Sequence, residues 1–369
     1  MEVNFKIPFY AKIALISICI SAGLFFMAVG RHIMIPVIYA AMAAILLNPL
    51  VNFLLKKGFN KIMAIFIIVV LASLLTLSII YIISSQVAVF YETYPQLRAK
   101  FTAISNNSIY WVSEKFKIPE TNVHLKLQEV QSEVMRNVEI GERLTEAGRA
   151  VMVGVLLPVY LFMILYYKPL LLEFIRKLFR VEHHIVVTEV LNNIKKIIHS
   201  YLVGLFFEMI IVAVLNSAGL LLLGIDYAIL LGVIGAVINI IPYLGGIIAI
   251  ALPMIIAFVT KDSVSYTVFV FLIYILIQFI DNHYLIPNIV ASRVQLNALI
   301  SVIIVLVGGA LWGISGMFLS IPSTAIVKVI FDHIESLKPW GFLLGNTVPT
   351  ASKYSIKWIK QSNSNPTKY

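Results

Sequence analysis

The chain has 369 residues, 60% of them hydrophobic and 12% charged, with a formal net charge of +10 and a mean hydropathy of +0.95. Soluble globular chains carry roughly 45–50% apolar and about 25% charged residues, so this composition excludes an ordinary water-soluble domain and calls for lipid as solvent. Its one cysteine, Cys19, excludes an intramolecular disulfide and a cysteine-built metal site.

A transmembrane helix needs about 20 mostly apolar residues, since each rises about 1.5 Å through a hydrocarbon core roughly 30 Å thick. Tyr10–Val29, Ile33–Leu55 and Ile62–Phe90 meet that condition and make an N-terminal three-span unit, residues 1–90. The first run, Ile13 to Val29, reads as a retained span because no clear small-x-small cleavage site precedes the second. Residues 91–150 change character. Their basic and acidic residues balance, and Tyr94, Leu97, Phe101, Ile104 and Trp111 are spaced for one helical face, as are Leu127, Val130, Val134 and Val138. This predicts an extramembrane insert of two amphipathic helices broken near Pro119.

Ala150–Tyr167 resumes the apolar pattern, with a kink predicted at Pro158. The basic connection 168–199 sets Leu171, Ile175, Leu178 and Phe179 opposite its lysines and arginines, the pattern of a segment lying along the inner interface. Tyr201–Gly224 and Val264–Ile286 bring the full spans to about six. Two further apolar blocks, 227–259 and 296–329, are too long for one crossing, since an unbroken helix of that length reaches roughly 50 Å. Each is interrupted, the first around Pro242, Gly245 and Gly246, the second at Gly308, Gly309, Gly313 and Gly316. Halves of roughly 20 Å are too short to cross comfortably, so helix–break–helix, re-entrant-like hairpins are predicted. The fold class is therefore all-α and polytopic, with 151–335 as a C-terminal unit bearing both hairpins and 336–369 as a cytoplasmic basic tail.

Charge placement orients the chain. With the N-terminus inside, the short inner segments hold Lys6, Lys12, Lys56, Lys57, Lys61 and Arg293, whereas the short outer loops hold Arg31 and Lys261. This follows the positive-inside rule and turns the net charge into a topology signal, which removes the reason to expect nucleic acid as a partner. Cysteine introduced at Ser105 in a Cys19-free background is expected to react with an impermeant thiol reagent from outside intact cells. Labelling only after the cells are opened would reverse this orientation.

No GxxxxGK[ST], GxGxxG, HExxH, CxxC or GxSxG pattern occurs in the required setting. His183-His184 are adjacent and point to different faces of a helix, so they make no metal site. The sequence thus offers no catalytic residues, no cofactor and no metal, and an enzyme is not expected. Polar residues at membrane depth are the alternative. A carboxylate inside a span costs a few kcal/mol or more unless it is paired, protonated or hydrated. Glu208 is in that position and Asp281-Asn282 close the last full span, making them candidates for ion coupling or a polar pathway, with interhelical hydrogen bonding as the competing role. At the breaks, Pro242 removes a backbone donor and the glycines release the helical geometry. Unwound backbone at that depth is tolerated where protein or a water-filled cavity satisfies it, and transporters present such breaks to substrate. Close helix packing is again the competing explanation for the glycines.

Asn239-Ile240-Ile241-Pro242-Tyr243-Leu244-Gly245 resembles the Asn-x-Ile-Pro-Tyr-x-Gly signature of the autoinducer-2 exporter family. Asp281-Asn282, Pro287-Asn288-Ile289, Val294-Gln295-Leu296, Gly308-Gly309-x3-Gly313-x2-Gly316 and Ile321-Pro322 follow in that family's order. The motifs cover about 200–331 and the layout nearly the whole chain. The family often has Gly-Pro at Gly245-Gly246, His-Pro at Asn297-Ala298 and a polar residue at Leu205, departures that bear on cargo rather than fold. The resemblance implies a multi-pass inner-membrane exporter of autoinducer-2 or a related small metabolite, or a sodium/proton antiporter. It also implies a homo-oligomer, with the pentamer as a candidate state. With the lipid bilayer as solvent and no ATP motif present, transport of a small-molecule or ion cargo would draw on an ion gradient or the cargo's own gradient. The rival from another class is a membrane scaffold or assembly protein using 91–150 as its binding surface. The residues expected to line the pathway are Asn239, Pro242, Gly245, Gly246, Gly308, Gly309, Gly313, Gly316 and Pro322, with Glu208, Asp281, Asn282 and Asn297 as polar members.

Overall fold

The computed structural model describes residues 8–81, 140–241, 245–261, 263–290 and 296–346, with Ser84, Ser85, Ala99, Thr102 and Val294 as isolated positions. Most of the predicted insert, the signature's Pro242, and the end of the basic tail lie outside the described residues. All regular elements among those described are helical: α1 (Phe9–Val29), α2 (Arg31–Lys56), α3 (Lys61–Tyr81), α4 (Ile140–Lys177), α5 (His184–Leu222), α6 (Ala228–Asn239), α7 (Gly245–Thr260), α8 (Ser265–Ile280), α9 (Ala298–His333) and α10 (Lys338–Leu344). Seven helices among the described residues are long and apolar enough to cross a membrane, while α6 and α7 are shorter apolar helices. This is an all-α, polytopic architecture.

Local chemistry starts and stops these helices. Asn60 begins α3, its side-chain oxygen accepting from Met63 N at 2.7 Å, which satisfies one of the amides that a helix start leaves unpaired. Asn297 does the same for α9, accepting from Ile300 N at 2.8 Å. Small residues set the packing, because lipid tails are as apolar as leucine and association depends on close approach. Ala40 and Ala44 of α2 meet Ala64 and Ile65 of α3 and Leu161 and Leu165 of α4 in one buried cluster. On the other side, Gly232 brings α6 against the backbone of α5 at Ser217. A second cluster joins Leu220, Leu231, Ile256 and Val270 of α5 to α8. Many leucine, isoleucine and phenylalanine side chains, such as Phe25, Leu71 and Leu276, face outward, as a lipid-facing surface requires.

Both interrupted blocks fold as helix–break–helix. The first comprises α6 and α7, packed against each other across the break after Asn239. The second lies within α9, where Trp312 and Gly313 leave helical geometry and Gly313 takes φ 60°, ψ −142°, a combination essentially open to glycine alone. The chain doubles back there, so that Ser320 Oγ lies 2.8 Å from the Ile304 carbonyl oxygen. Trp312 Nε1 donates to Met27 O at 2.8 Å, which holds this turn at the last turn of α1.

Two elements differ from the sequence expectation. Residues 168–177 continue α4 and 184–199 begin α5, so the basic connection is formed by the adjoining ends of two long helices rather than by a separate segment. Continuing a helix keeps its backbone hydrogen bonds satisfied, whereas a break at that depth would expose them. The last full span also changes pitch. α8 runs directly into a π-helical stretch, Asp281–Val290, with Pro287 inside it. Proline removes a backbone donor, and π-helical turns are frequent at functional sites.

Candidate functional site

Residues four and seven apart share one face of a helix. On α5 this aligns Tyr201, Leu205 and Glu208; on α8 and its π-helical extension it aligns Tyr274, Gln278 and Asp281. The two faces meet over a cavity of about 760 Å³, within the roughly 300–1,000 Å³ typical of small-molecule sites. Asn239, Ile240, Ile241 and Gly246 line it from the first hairpin's break, and Ser301 and Ile321 line it from α9. Ile247, Ile250, Phe271 and Ile275 make much of the remaining wall apolar.

Two carboxylates face this space. Asp281 is fully buried (0% exposed) and Glu208 nearly so (5%), and both line the same cavity. Asp281 Oδ2 accepts from Asn239 Nδ2 at 2.8 Å, tying the hairpin break to the start of the π-helical stretch. Its other oxygen, Oδ1, has no hydrogen-bond partner among the described residues, and neither does the Tyr274 hydroxyl. Among the described residues, the lining contains no lysine, arginine or histidine. Desolvated carboxylates without a basic partner need a proton, a cation or a hydrogen-bonding solute.

The expected site residues divide into two groups. Glu208, Asn239, Gly246, Asp281 and Asn282 come together around the cavity. Gly245 borders the same break but serves close approach, because a side chain there would meet the backbone of Ile238 and Asn239. Gly308 and Gly316 face each other across the second hairpin with almost no space between their backbones, and a side chain at Gly309 would meet Met317. Gly313 makes the turn, and Pro322 is buried in the returning leg. Asn297 caps α9, and its amide also donates to Leu343 O at 2.6 Å and Gly345 O at 3.1 Å, clamping α9 to the end of α10. None of these last six lines the cavity.

Tyr201, Tyr274, Gln278 and Ser301 also line the cavity and were not singled out from the sequence. The first three carried a readable signal, since they stand seven or three residues from Glu208 and Asp281 on the same helix faces. Ser301 carried none, because only the approach of α9 brings it in.

Long apolar helices, two interrupted hairpins and a mid-chain cavity with buried carboxylates define a multi-pass membrane transporter. The family profile described as AI-2E family transporter matches residues 15–336, and the chain belongs to that family. It is 23% identical over 334 residues to "Putative transport protein YhhT" of Escherichia coli (strain K12), covering 88% of this chain and 92% of that protein. It is 24% identical over 322 residues to a "Putative transport protein" of Haemophilus influenzae, covering 86% and 91%. With "Putative transport protein YrrI" of Bacillus subtilis it shares 30% identity over 148 residues, 40% of this chain and 41% of that protein. The match to YueF of the same organism likewise spans 40% of each.

Proposed function

We propose that the chain moves a small solute across the cell's inner membrane through the cavity between α5, the first hairpin and the α8 extension, driven by an ion gradient and without covalent chemistry. The observation that carries this reading is the placement of Glu208 and Asp281 in one largely apolar cavity with no basic residue in its lining among the described residues. An anionic cargo would meet repulsion there, so the site favours a neutral or cationic solute with hydroxyl groups to bond Tyr274, Gln278 and Asn239. Autoinducer-2, the cargo of the resembling family, is the first candidate. The carboxylates supply the coupling: each crossing exchanges a proton or a small cation at Glu208 or Asp281, and the Asn239–Asp281 hydrogen bond transmits occupancy to the hairpin break. The paired carboxylates favour a second reading, a sodium/proton-type antiporter in which the cation is itself the cargo. A homo-oligomer of the family's kind would hold several such cavities.

Flux into proteoliposomes, screened over candidate solutes with and without a pH gradient, tests the reading. The expected result is accumulation of one solute that depends on the gradient. Gradient-driven sodium movement with no solute flux selects the antiporter, and no flux of either kind would refute transport through this cavity. A narrower prediction concerns Tyr274→Phe. Removing a buried, unpartnered hydroxyl while keeping the ring is expected to preserve or slightly raise thermal stability, since an unsatisfied buried group costs about 1–3 kcal/mol. Apparent cargo affinity is expected to fall, measured as KM for flux.

A further inference from the structure

Away from the cavity, the inner ends of four helices bring ammonium groups together. Lys168 of α4 donates from Nζ to Asn48 Oδ1 of α2 at 2.8 Å. Lys61, at the start of α3, donates to the Tyr166 carbonyl at 2.7 Å, and its ammonium stands 4.8 Å over the Tyr166 ring. Lys195 of α5 and Lys61 both act electrostatically on Lys168. Among the described residues, no carboxylate makes an ion pair with any of the three. Glu173 of α4 pairs instead with Arg176 and Lys177, and Glu189 of α5 with His333. Asn48 itself is 5% exposed, and its Nδ2 is buried with no hydrogen-bond partner.

The positive-inside rule accounts for lysines on this face but not for their convergence. Like charges brought together repel unless an anion lies among them. A buried amide donor without an acceptor is likewise costly. One phosphate group would satisfy both, taking the lysines as counter-charges and the Asn48 amide as a hydrogen-bond donor. We propose that Lys61, Lys168, Lys195 and Asn48 form a phosphate site at the inner ends of α2, α3, α4 and α5, occupied by the headgroup of an anionic phospholipid.

A lipid is favoured over a soluble phosphate by the surroundings. Tyr166 and Tyr167 lie beside Lys168, as tyrosines do at membrane–water interfaces, and Leu170 and Leu171 project outward next to them, a surface for acyl chains. The inner leaflet is where anionic lipids attract clustered lysines. The location also has a consequence. Asn48, Lys61 and Lys168 stand on α2, α3 and α4, the helices that share one apolar cluster, whereas Lys195 belongs to α5, which carries Glu208. A bound headgroup therefore bridges the N-terminal helices to the cavity-bearing part of the chain.

The test uses the full-length protein in nanodiscs of phosphatidylcholine, with and without phosphatidylglycerol, reading retained lipid by native mass spectrometry and Tm by unfolding. Phosphatidylglycerol is expected to be retained and to raise Tm, and Lys61→Gln, Lys168→Gln or Lys195→Gln to weaken its retention by about fivefold each, from the usual worth of one lysine near an anionic surface. The control Lys56→Gln/Lys57→Gln, on the same face but outside the site, should retain lipid as the parent does. If inorganic phosphate in phosphatidylcholine discs raises Tm of the parent but not of Lys168→Gln, while phosphatidylglycerol does no better, the phosphate site stands and the lipid is wrong. Should Lys168→Gln misfold, Lys195→Gln carries the test, because Lys195 makes no hydrogen bond among those described. Equal retention of phosphatidylglycerol by the parent and every site variant, with no response to phosphate, overturns the proposal.

Discussion

Flux through proteoliposomes of the Glu208→Gln protein is expected to lose its dependence on pH while the protein still inserts, assembles and unfolds at close to the parent Tm. Glutamine keeps the shape and the hydrogen-bonding reach of the side chain but cannot carry a proton on and off. Glu208 makes no hydrogen bond among those described, so the amide replaces no known contact. Asp281→Asn is expected to behave differently. It weakens a charge-assisted bond from Asn239, a class worth about 1.5–3 kcal/mol, which corresponds to roughly ten- to a hundredfold in an equilibrium constant. Flux should fall by that order with some loss of stability, because the same bond secures the hairpin break. If both variants transport normally at every pH, the carboxylates are structural and the coupling assigned to them is wrong.

Leucine substitutions at the hairpin glycines are expected to separate along lines that only the three-dimensional contacts define. At Gly246 a side chain would point at the Gln278 carboxamide, the movable end of a side chain on the far wall of the cavity. Gly246→Leu should therefore fill the cavity and abolish flux while leaving the size of the detergent-solubilised particle and its Tm unchanged. At Gly308 and Gly316 the obstacle is the opposing backbone, which cannot move without opening the hairpin. Gly308→Leu and Gly316→Leu should lower thermal stability by about 1–3 kcal/mol or more, as overpacking does, and lose stability and flux together. Gly154→Leu is the control, since nothing lies within 4 Å of that position, and it should alter neither. Normal flux in Gly246→Leu would remove the cavity from the transport path.

The sequence carried the solvent, the fold class and the sites of interruption. Hydrophobic runs of bilayer length are set by composition alone, so α1, α2, α3, α5 and α8 were legible without any contact being known. The break before Gly245 and the turn at Gly313 were legible too, because proline and glycine act on their own backbone. Glu208 and Asp281 could be picked out one by one, each as a polar group where hydrophobic residues prevail. What periodicity could not decide was company. That Glu208 and Asp281 share a cavity, that Asn239 bonds Asp281 at 2.8 Å, and that Asn297 serves as a clamp all depend on which helices pack together. Nor could the sequence distinguish a glycine beside a cavity from one pressed against another backbone. Glycine has no side chain to declare its neighbours, so Gly246 and Gly308 look alike in the chain and differ only by what lies opposite them in the fold.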